Sequence, residues 1–268
     1  MRHPVDGRVH FSELKAHVKS PAHVALAVHG ARTVSDVMRI GGVADSIVFE
    51  HGKGHVLFEG RRDPRSKDWQ AFQAEHAGKY IVIASELERA EGAARAVMAD
   101  ATAQRVLAGC KFQQVMQWEA YGLPCAAGIK GERGGFDAVN LELGELTDLK
   151  IVHNAEPEYL SRHVLNQFWH AQLAWYRTGL RALGHEIRIA RIIAAESSPP
   201  HNVTVLRIPE RWLVQGEALC ATWAERHRAC ELADAWPGYV QDEIEAIEPA
   251  WMAEHVDLDG LDGEGEDG

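Results

Sequence analysis

The sequence predicts an α/β fold of the mixed α+β kind, with a central mixed β-sheet flanked by helices. Three observations lead there. Segments of helical periodicity alternate with apolar or alternating runs in the order helix, strands, helix, strands, helix. The runs HVLFEG, KYIVIAS, EIRIARIIAAESS and NVTVLRIP read as strands. No internal repeat or long Pro/Gly/Ser linker divides the chain, so a single domain over residues 1–255 is expected, followed by an acidic disordered tail over 256–268.

The elements follow in order. FSELKAHVKSPAHVALAVHG predicts a helix from Ser12, broken at Pro21, then a short second helix. SDVMRIGGVADSIVFEHG has an N-cap at Ser35 and apolar residues at helical spacing as far as about Gly52. HVLFEG is a short strand, RRDPRSKDWQAFQAEHAGK a basic turn leading into a helix, and KYIVIAS a buried strand. SELERAEGAARAVMADATAQRVLAG predicts one or two helices from Ser85, with Glu88 as the capping-box partner. KFQQVMQWEAYG and LPCAAGIKGERGG lead into a hairpin, GGFDAVNLELGELTDLKI, joined across Gly144. SRHVLNQFWHAQLAWYRTGLRALG predicts one long amphipathic helix closed by Gly184. Two further strands precede a last helix, ERWLVQGEALCATWAERHRACELADAW.

Composition narrows the function classes. Hydrophobic content of 46% and charged content of 25% are ordinary for a soluble globular protein. Apolar stretches such as HVALAVHG and YIVIAS fall far short of the ~20 residues a membrane span needs. MRHPVDGRVHFSELK has no apolar core of a signal peptide, so a cytoplasmic protein with no membrane partner is expected. The four cysteines, Cys110, Cys125, Cys220 and Cys230, form no C-x-x-C pair and read as free thiols. A net charge of −11 argues against a protein that coats nucleic acid non-specifically, yet leaves room for a local basic channel. Much of the deficit is in DLDGLDGEGEDG, which carries six acids and no base.

The hairpin carries the chemistry. Side chains alternate along a strand, so Asp148 and Lys150 point to one face while Leu149 points to the other. Asp137 lies on the neighbouring strand, where the three groups can converge at one sheet edge. Two close carboxylates disfavour ionisation unless a divalent cation neutralises them, and oxygen-only ligation suits Mg²⁺ or Mn²⁺. A lysine beside them can orient or help deprotonate an attacking water and offset phosphate charge. That is the apparatus of metal-assisted phosphodiester hydrolysis. Alone, D…D-x-K is equally a solvated surface pair worth under ~1 kcal/mol.

Two further segments add weight. In QLAWY, Gln172 and Tyr176 are spaced i, i+4 and share a helix face, although a core tyrosine beside a solvated glutamine has the same spacing. In GGVADSIVFE, Asp45 and Glu50 follow two glycines on a helix, an arrangement that a partly exposed helix also shows.

Taken together these segments resemble the PD-(D/E)XK nuclease superfamily, and within it the phage and prophage exodeoxyribonuclease VIII (RecE-type) nuclease domains. The resemblance runs from about Ser12 to about Arg211. SELKAHVKSPAH is similar to the family's S-x-L-K…SPAH opening, and GGVADSIVFE to its G-x-x-x-H-x-x-x-x-E helix. RRDPRSKDWQAF is similar to its basic R…K-x-W segment. WEAYGLPCAAGIKGERGGFDAV and LTDLKIV resemble its metal-aspartate and D-x-K strands, and QLAWY its Q-x-x-x-Y helix. No single motif is specific; five in order are. The resemblance implies a restriction-endonuclease-like core in which Asp137 and Asp148 ligate Mg²⁺ (or Mn²⁺) and Lys150 serves the attacking water. Glu50 would act at the metal directly or through a water, while Gln172 and Tyr176 would hold the phosphate or orient the lysine. Asp45 stands where the family usually has histidine; as a third metal ligand it adds negative charge, and leaves a weakened or inactive enzyme open. Ile151 and Val152 stand where the family often has threonines.

The resemblance further implies exonucleolytic hydrolysis of linear double-stranded DNA from an end, 5′ to 3′, by a toroidal homo-oligomer working with a single-strand annealing protein. Alternatives are an endonuclease, a processing nuclease of the CRISPR-adaptation type, against which the unclustered cysteines count, and a catalytically degenerate DNA-binding subunit. In RRDPRSKDW, Arg61, Arg62, Arg65 and Lys67 could meet phosphates while Trp69 stacks on a base or sugar; a solvated basic loop anchored by one tryptophan fits the same residues equally well. The other tryptophans sit mostly in apolar periodic segments and read as core. The fifteen histidines, among them His163 and His170 on one expected helix face and His51 and His55, match no zinc motif.

Overall fold

A computed structural model describes residues 2–30, 35–50, 54–129, 135–240 and 242–249, the side chain of Glu50 excepted. The expected acidic tail, the end near Gly52 of the helix expected from Ser35, and His51 lie outside the described residues.

The chain opens with β1 (Val9–His10), α1 (Phe11–Lys15), a 3₁₀ turn (Ala16–Val18) and α2 (Pro21–His29). Pro21 occupies the first turn of α2, where a missing N–H costs nothing. Helix α3 (Asp36–Glu50) starts with the Met38 N–H donating to Ser35 Oγ at 3.3 Å, as the N-cap spacing predicts. Then come β2 (His55–Leu57), α4 (Lys67–Glu75), β3 (Tyr80–Val82), α5 (Ala84–Ala99) and α6 (Ala101–Leu107). Helix α5 begins one residue before the expected start, and its capping carboxylate is Glu86 rather than Glu88. The N-cap is Ile83, whose N–H donates to Glu86 Oε2 at 3.2 Å, three residues on. Asp100 accepts the Ala103 N–H at 2.7 Å and starts α6 as a separate helix.

Strands β4 (Lys111–Gln114), β5 (Met116–Ala120), β6 (Leu123–Ala127), β7 (Phe136–Asn140) and β8 (Glu145–Val152) follow, then α7 (Pro157–Asn166) and α8 (Trp169–Ala182), β9 (Ile189–Glu196), β10 (Val203–Arg207) and α9 (Glu210–Ala233). The single long helix expected across 161–184 is thus two. Phe168 takes a left-handed conformation (φ 59°), and the Gln167 and Phe168 N–H groups close onto His163 and Leu165 carbonyls. The apolar period runs on across the break because both helices bury residues in one core: Leu160 and Val164 from α7, Leu173, Trp175 and Leu180 from α8. His163 and His170 therefore share no helix face.

Five strands form the main sheet in the order β10-β9-β8-β7-β4. Strands β8 and β9 run parallel and the other neighbours antiparallel, so the sheet is mixed as expected. Its two faces bury different layers, as a period of two requires. Leu146, Val152, Ala190 and Ile192 join the large core with α7, α8 and α9. Ala138, Leu149, Ile193 and Ala195 pack instead with Phe49 of α3 and Ala93 and Val97 of α5. Gly144 turns the β7–β8 hairpin at φ +64°, a conformation that side chains resist. At Gly179 a Cβ would come within 2.7 Å of the Trp118 ring, so only glycine lets α8 lie this close to β5. Arg177 of α8 is buried and bonds both Glu210 (2.7 Å) and Glu217 (3.0 Å) of α9, satisfying a charge that would otherwise be costly to bury. The cysteines carry no disulfide. No described helix is long and apolar enough to cross a membrane.

Candidate active site

The hairpin register brings the two predicted aspartates level. Strand β7 pairs with β8 as Ala138↔Thr147 and Val139↔Leu146. The paired numbers sum to 285 in both cases, so one residue further on Asp137 lies opposite Asp148. There the ladder gives way to a side chain: Asp137 Oδ2 accepts the Leu149 N–H at 2.8 Å. Asp148 is 3% exposed. Its Oδ2 is fully buried and, among the described residues, has no partner beyond the ion pair with Lys150 Nζ. The D-x-K alternation thus puts acid and amine on one face, with Leu149 turned into the layer under α3 and α5.

Helix α3 supplies the third acid. Asp45 faces the pair closely enough that its charge acts on both Asp137 and Lys150. Its Oδ2 accepts a hydrogen bond from Gln113 Nε2 at 2.8 Å. Gln113 belongs to β4 and has a left-handed backbone (φ 50°) between two paired residues of that strand.

The electrostatics follow from this crowding. Burial, then the charges of Asp148 and Asp45, drive the Asp137 carboxyl well above the ordinary carboxylate range. Burial also penalises the Lys150 ammonium, but Asp148, Asp137 and Asp45 outweigh that penalty and hold its pKa above the ordinary lysine value. Trp169 adds its ring face at 5.7 Å from Lys150 Nζ. Among the described residues three acids face one lysine in a half-buried place, an arrangement a divalent cation would balance. Mg²⁺ suits such a set of carboxylates, since it keeps several waters and takes only one or two carboxylates directly.

Gln172 and Tyr176 lie on α8 and bond each other, Gln172 Nε2 donating to Tyr176 Oη at 2.8 Å. Burial and the charge of Asp148 push the tyrosine phenol up, so it stays protonated. These two line a cavity of about 380 Å³ with Lys15 of α1, while Asp45, Asp137 and Lys150 line one of about 650 Å³; Trp169 borders both. Lys15 Nζ donates to the Gln167 carbonyl at 2.9 Å, and burial followed by the charge of Lys150 lowers its pKa.

A sequence profile for a PDDEXK-like domain of unknown function matches residues 10–248. The chain belongs to that family. Its PDDEXK-like domain is similar to a crystal structure of a "putative exonuclease" from Eubacterium rectale, with a TM-score of 0.65 at 12% identity, covering 93% of each chain. At that identity the likeness is one of fold. Among curated proteins, none matches significantly by sequence. The resemblance read from the motifs therefore holds at the level of the PD-(D/E)XK superfamily, and the fold is nuclease-like.

The basic segment requires a correction to this picture. Trp69 is 5% exposed and packs its ring on Phe58 with centroids 5.0 Å apart, so it offers no face to a base. Arg62 lies over Trp69 and bonds both Glu86 (2.6 Å to Oε2) and the Ile81 carbonyl (2.9 Å). These two hold α4 to the start of α5. Arg61, Arg65 and Lys67 are exposed, Arg65 beside Asp63. Glu50's side chain lies outside the described residues. Sequence reasoning gave no role to Gln113, Trp169 or Lys15. Gln113 meets Asp45 across 68 positions of chain, a contact with no local signal. Trp169 stands in a periodic apolar segment and reads as core.

Proposed function

We propose that this PDDEXK-like protein is a divalent-metal-dependent exonuclease acting on the ends of linear double-stranded DNA, with phosphodiester hydrolysis centred on Asp137, Asp148 and Lys150. The observation that carries the reading is the pair of opposed aspartates, Asp148 buried and Asp137 half-buried, with Lys150 on the same face and Asp45 lining the same cavity as Asp137 and Lys150. Asp137 and Asp148 would hold Mg²⁺ or Mn²⁺, with Asp45 joining directly or through a water. When bound, such an ion polarises the phosphoryl oxygens and lowers the pKa of a coordinated water.

The protein's own groups then have distinct tasks. Lys150 is held charged by its acidic neighbours, so it serves as a hydrogen-bond donor and counter-charge to the phosphate rather than as a proton acceptor. Its ammonium orients the water that attacks phosphorus, and the bond to the leaving oxygen breaks in line with that attack. Tyr176 keeps its proton and, tied to Gln172, is a second donor for a phosphate entering from the smaller cavity. Burial of Asp148 among apolar neighbours lowers the local dielectric and strengthens each of these interactions. The 5′-to-3′ direction, a toroidal assembly and a single-strand annealing partner belong to the same proposal and rest on motif resemblance.

The deciding experiment is digestion of linear duplex and covalently closed circular DNA with Mg²⁺, Mn²⁺ or EDTA, using the native protein and Lys150→Ala. Metal-dependent loss of the linear substrate alone, reduced at least about 100-fold in Lys150→Ala, is expected. Cleavage of closed circles would establish an endonuclease. Salt-sensitive DNA binding with no turnover under any metal would overturn the enzyme reading in favour of a binding subunit that keeps the fold.

A further inference from the structure

A second cluster of metal-binding side chains lies away from the aspartate pair, at the amino-terminal rim of the smaller cavity. Among the described residues, one group of three or more histidine, cysteine or acidic side chains brings its ligand atoms within 4.8 Å of one another, and it consists of His3, Asp6 and His10. His10 Nε2 stands 3.1 Å from Asp6 Oδ2, and His3 Nδ1 stands 4.0 Å from Asp6 Oδ1. A second carboxylate stands just outside the trio: Glu13 Oε1 is 4.0 Å from His3 Nε2, the ring nitrogen other than the one facing Asp6, and Glu13 is 1% exposed.

We propose that His3, Asp6 and His10 form a three-ligand Zn²⁺ site, with the Glu13 carboxylate outside the ligand shell orienting His3 through Nε2. Two imidazoles with one carboxylate are a donor set zinc favours, unlike the all-oxygen set at the catalytic aspartates. Zinc–ligand bonds of about 2.0–2.1 Å in a tetrahedron place donors roughly 3.3 Å apart, which the His10–Asp6 pair already meets. The His3–Asp6 contact, at 4.0 Å, needs to close by less than about 1 Å, a shift open to a side chain on the turn before β1. The supporting bonds are those of a ligand shell. The Arg8 N–H donates to Asp6 Oδ1 at 3.0 Å and leaves Oδ2 toward His10. The His10 N–H donates to Glu13 Oε2 at 3.0 Å and leaves Oε1 toward His3. The Val5 N–H approaches His3 Nδ1 at 3.3 Å, a long contact that ligation through Nδ1 would displace.

The site would tie the turn of residues 3–6 to β1 and α1, both of which carry cavity-lining residues. His3 and His10 line the same cavity as Gln172 and Tyr176, so the metal would fix one wall of the path to the reacting phosphate. Its role is structural and does not depend on the nuclease reading.

The test is Co²⁺ titration followed by visible ligand-field absorption, together with melting in Zn²⁺ and in EDTA. The proteins are the native chain, the double variant His3→Gln and His10→Gln, and the double variant Asp137→Asn and Asp148→Asn. A band expected of low-coordinate Co²⁺ should appear in the native protein and in the aspartate variant. It should be lost in the histidine variant, and Zn²⁺ should raise Tm by several degrees only where the band is present. The glutamines preserve hydrogen bonding, and the melt in EDTA shows whether that variant is folded. Should it be unfolded, His3→Gln alone must weaken Co²⁺ binding at least tenfold. A band that survives in the histidine variant, that disappears only in the aspartate variant, or that never forms overturns the proposal.

Discussion

Asp137 sits in a place that suits a metal and penalises a lone carboxylate. Its pKa is raised by burial and by Asp148 and Asp45. The sign is that of a destabilising acid: the unfolded chain ionises first, so without metal stability falls as pH rises from about 4 toward the folded-state value. Asp137→Asn is therefore expected to melt about 2 °C or more above the native protein in EDTA near neutral pH, and to lose its stabilisation by Mn²⁺. Equal melting in EDTA would show that the crowding costs nothing. Gln113 acts one step further out, since its amide fixes the Asp45 carboxylate. Asparagine tolerates the left-handed backbone but is one methylene short of the acid. Gln113→Asn should leave Tm nearly unchanged and weaken Mn²⁺ binding several-fold by calorimetry, whereas unchanged affinity would make the bond incidental.

The element that organises the far side of the sheet is α5, through the single carboxylate at its start. Glu86 caps the helix and joins Arg39 of α3 to Arg62 before α4, at 3.0 and 2.6 Å. Burial raises its pKa, but the two guanidiniums and the Ile83 N–H outweigh that and bring it to about 2. A depressed acid stabilises above its unfolded pKa and stops doing so as pH falls through the folded one. The window here runs from about 4.5 down to about 2. Glu86→Gln is expected to lose on the order of 2 kcal/mol at pH 7, measured by urea denaturation, and to show a flatter stability profile across that window. A parallel profile would remove Glu86 from the acid transition. This network also explains why the basic segment misleads in sequence. Arginines spaced for phosphate contact look the same as arginines spaced to satisfy a buried glutamate on another helix.

For the whole molecule, a net charge of −11 means that any DNA binding must come from a local field rather than the overall one. Lys15 and Lys150 line the two cavities that Trp169 borders, and Arg61, Arg65 and Lys67 stand exposed. Five such cations among the described residues imply a shallow salt dependence. The slope of log affinity against log salt for duplex ends should correspond to only about three to five phosphates, and Lys15→Ala should reduce it by about one. A slope near that of a protein wrapped in phosphates would point to a larger basic face, built by association of several copies.

Much of this was legible in the chain. Strand alternation alone put Asp148 and Lys150 on one face, and the apolar runs marked β7 to β9 because buried strands need them, with alternation marking the edge strand β10. The Ser35 cap and Pro21 marked helix starts for local steric and hydrogen-bonding reasons. Tertiary structure decided the rest. The register that sets Asp137 opposite Asp148, the approach of Asp45 from α3, and its tether to Gln113 are pairings between distant segments. The break at Phe168 is hidden because both halves bury apolar residues at the same period. Trp69 and Arg62 read as a binding surface until Phe58 and Glu86 are seen to cover them. The sequence by itself determined which groups could do chemistry, because residue type and local period are properties of the chain. Only the fold decided which of them meet, because burial and distance are set by segments that no local pattern connects.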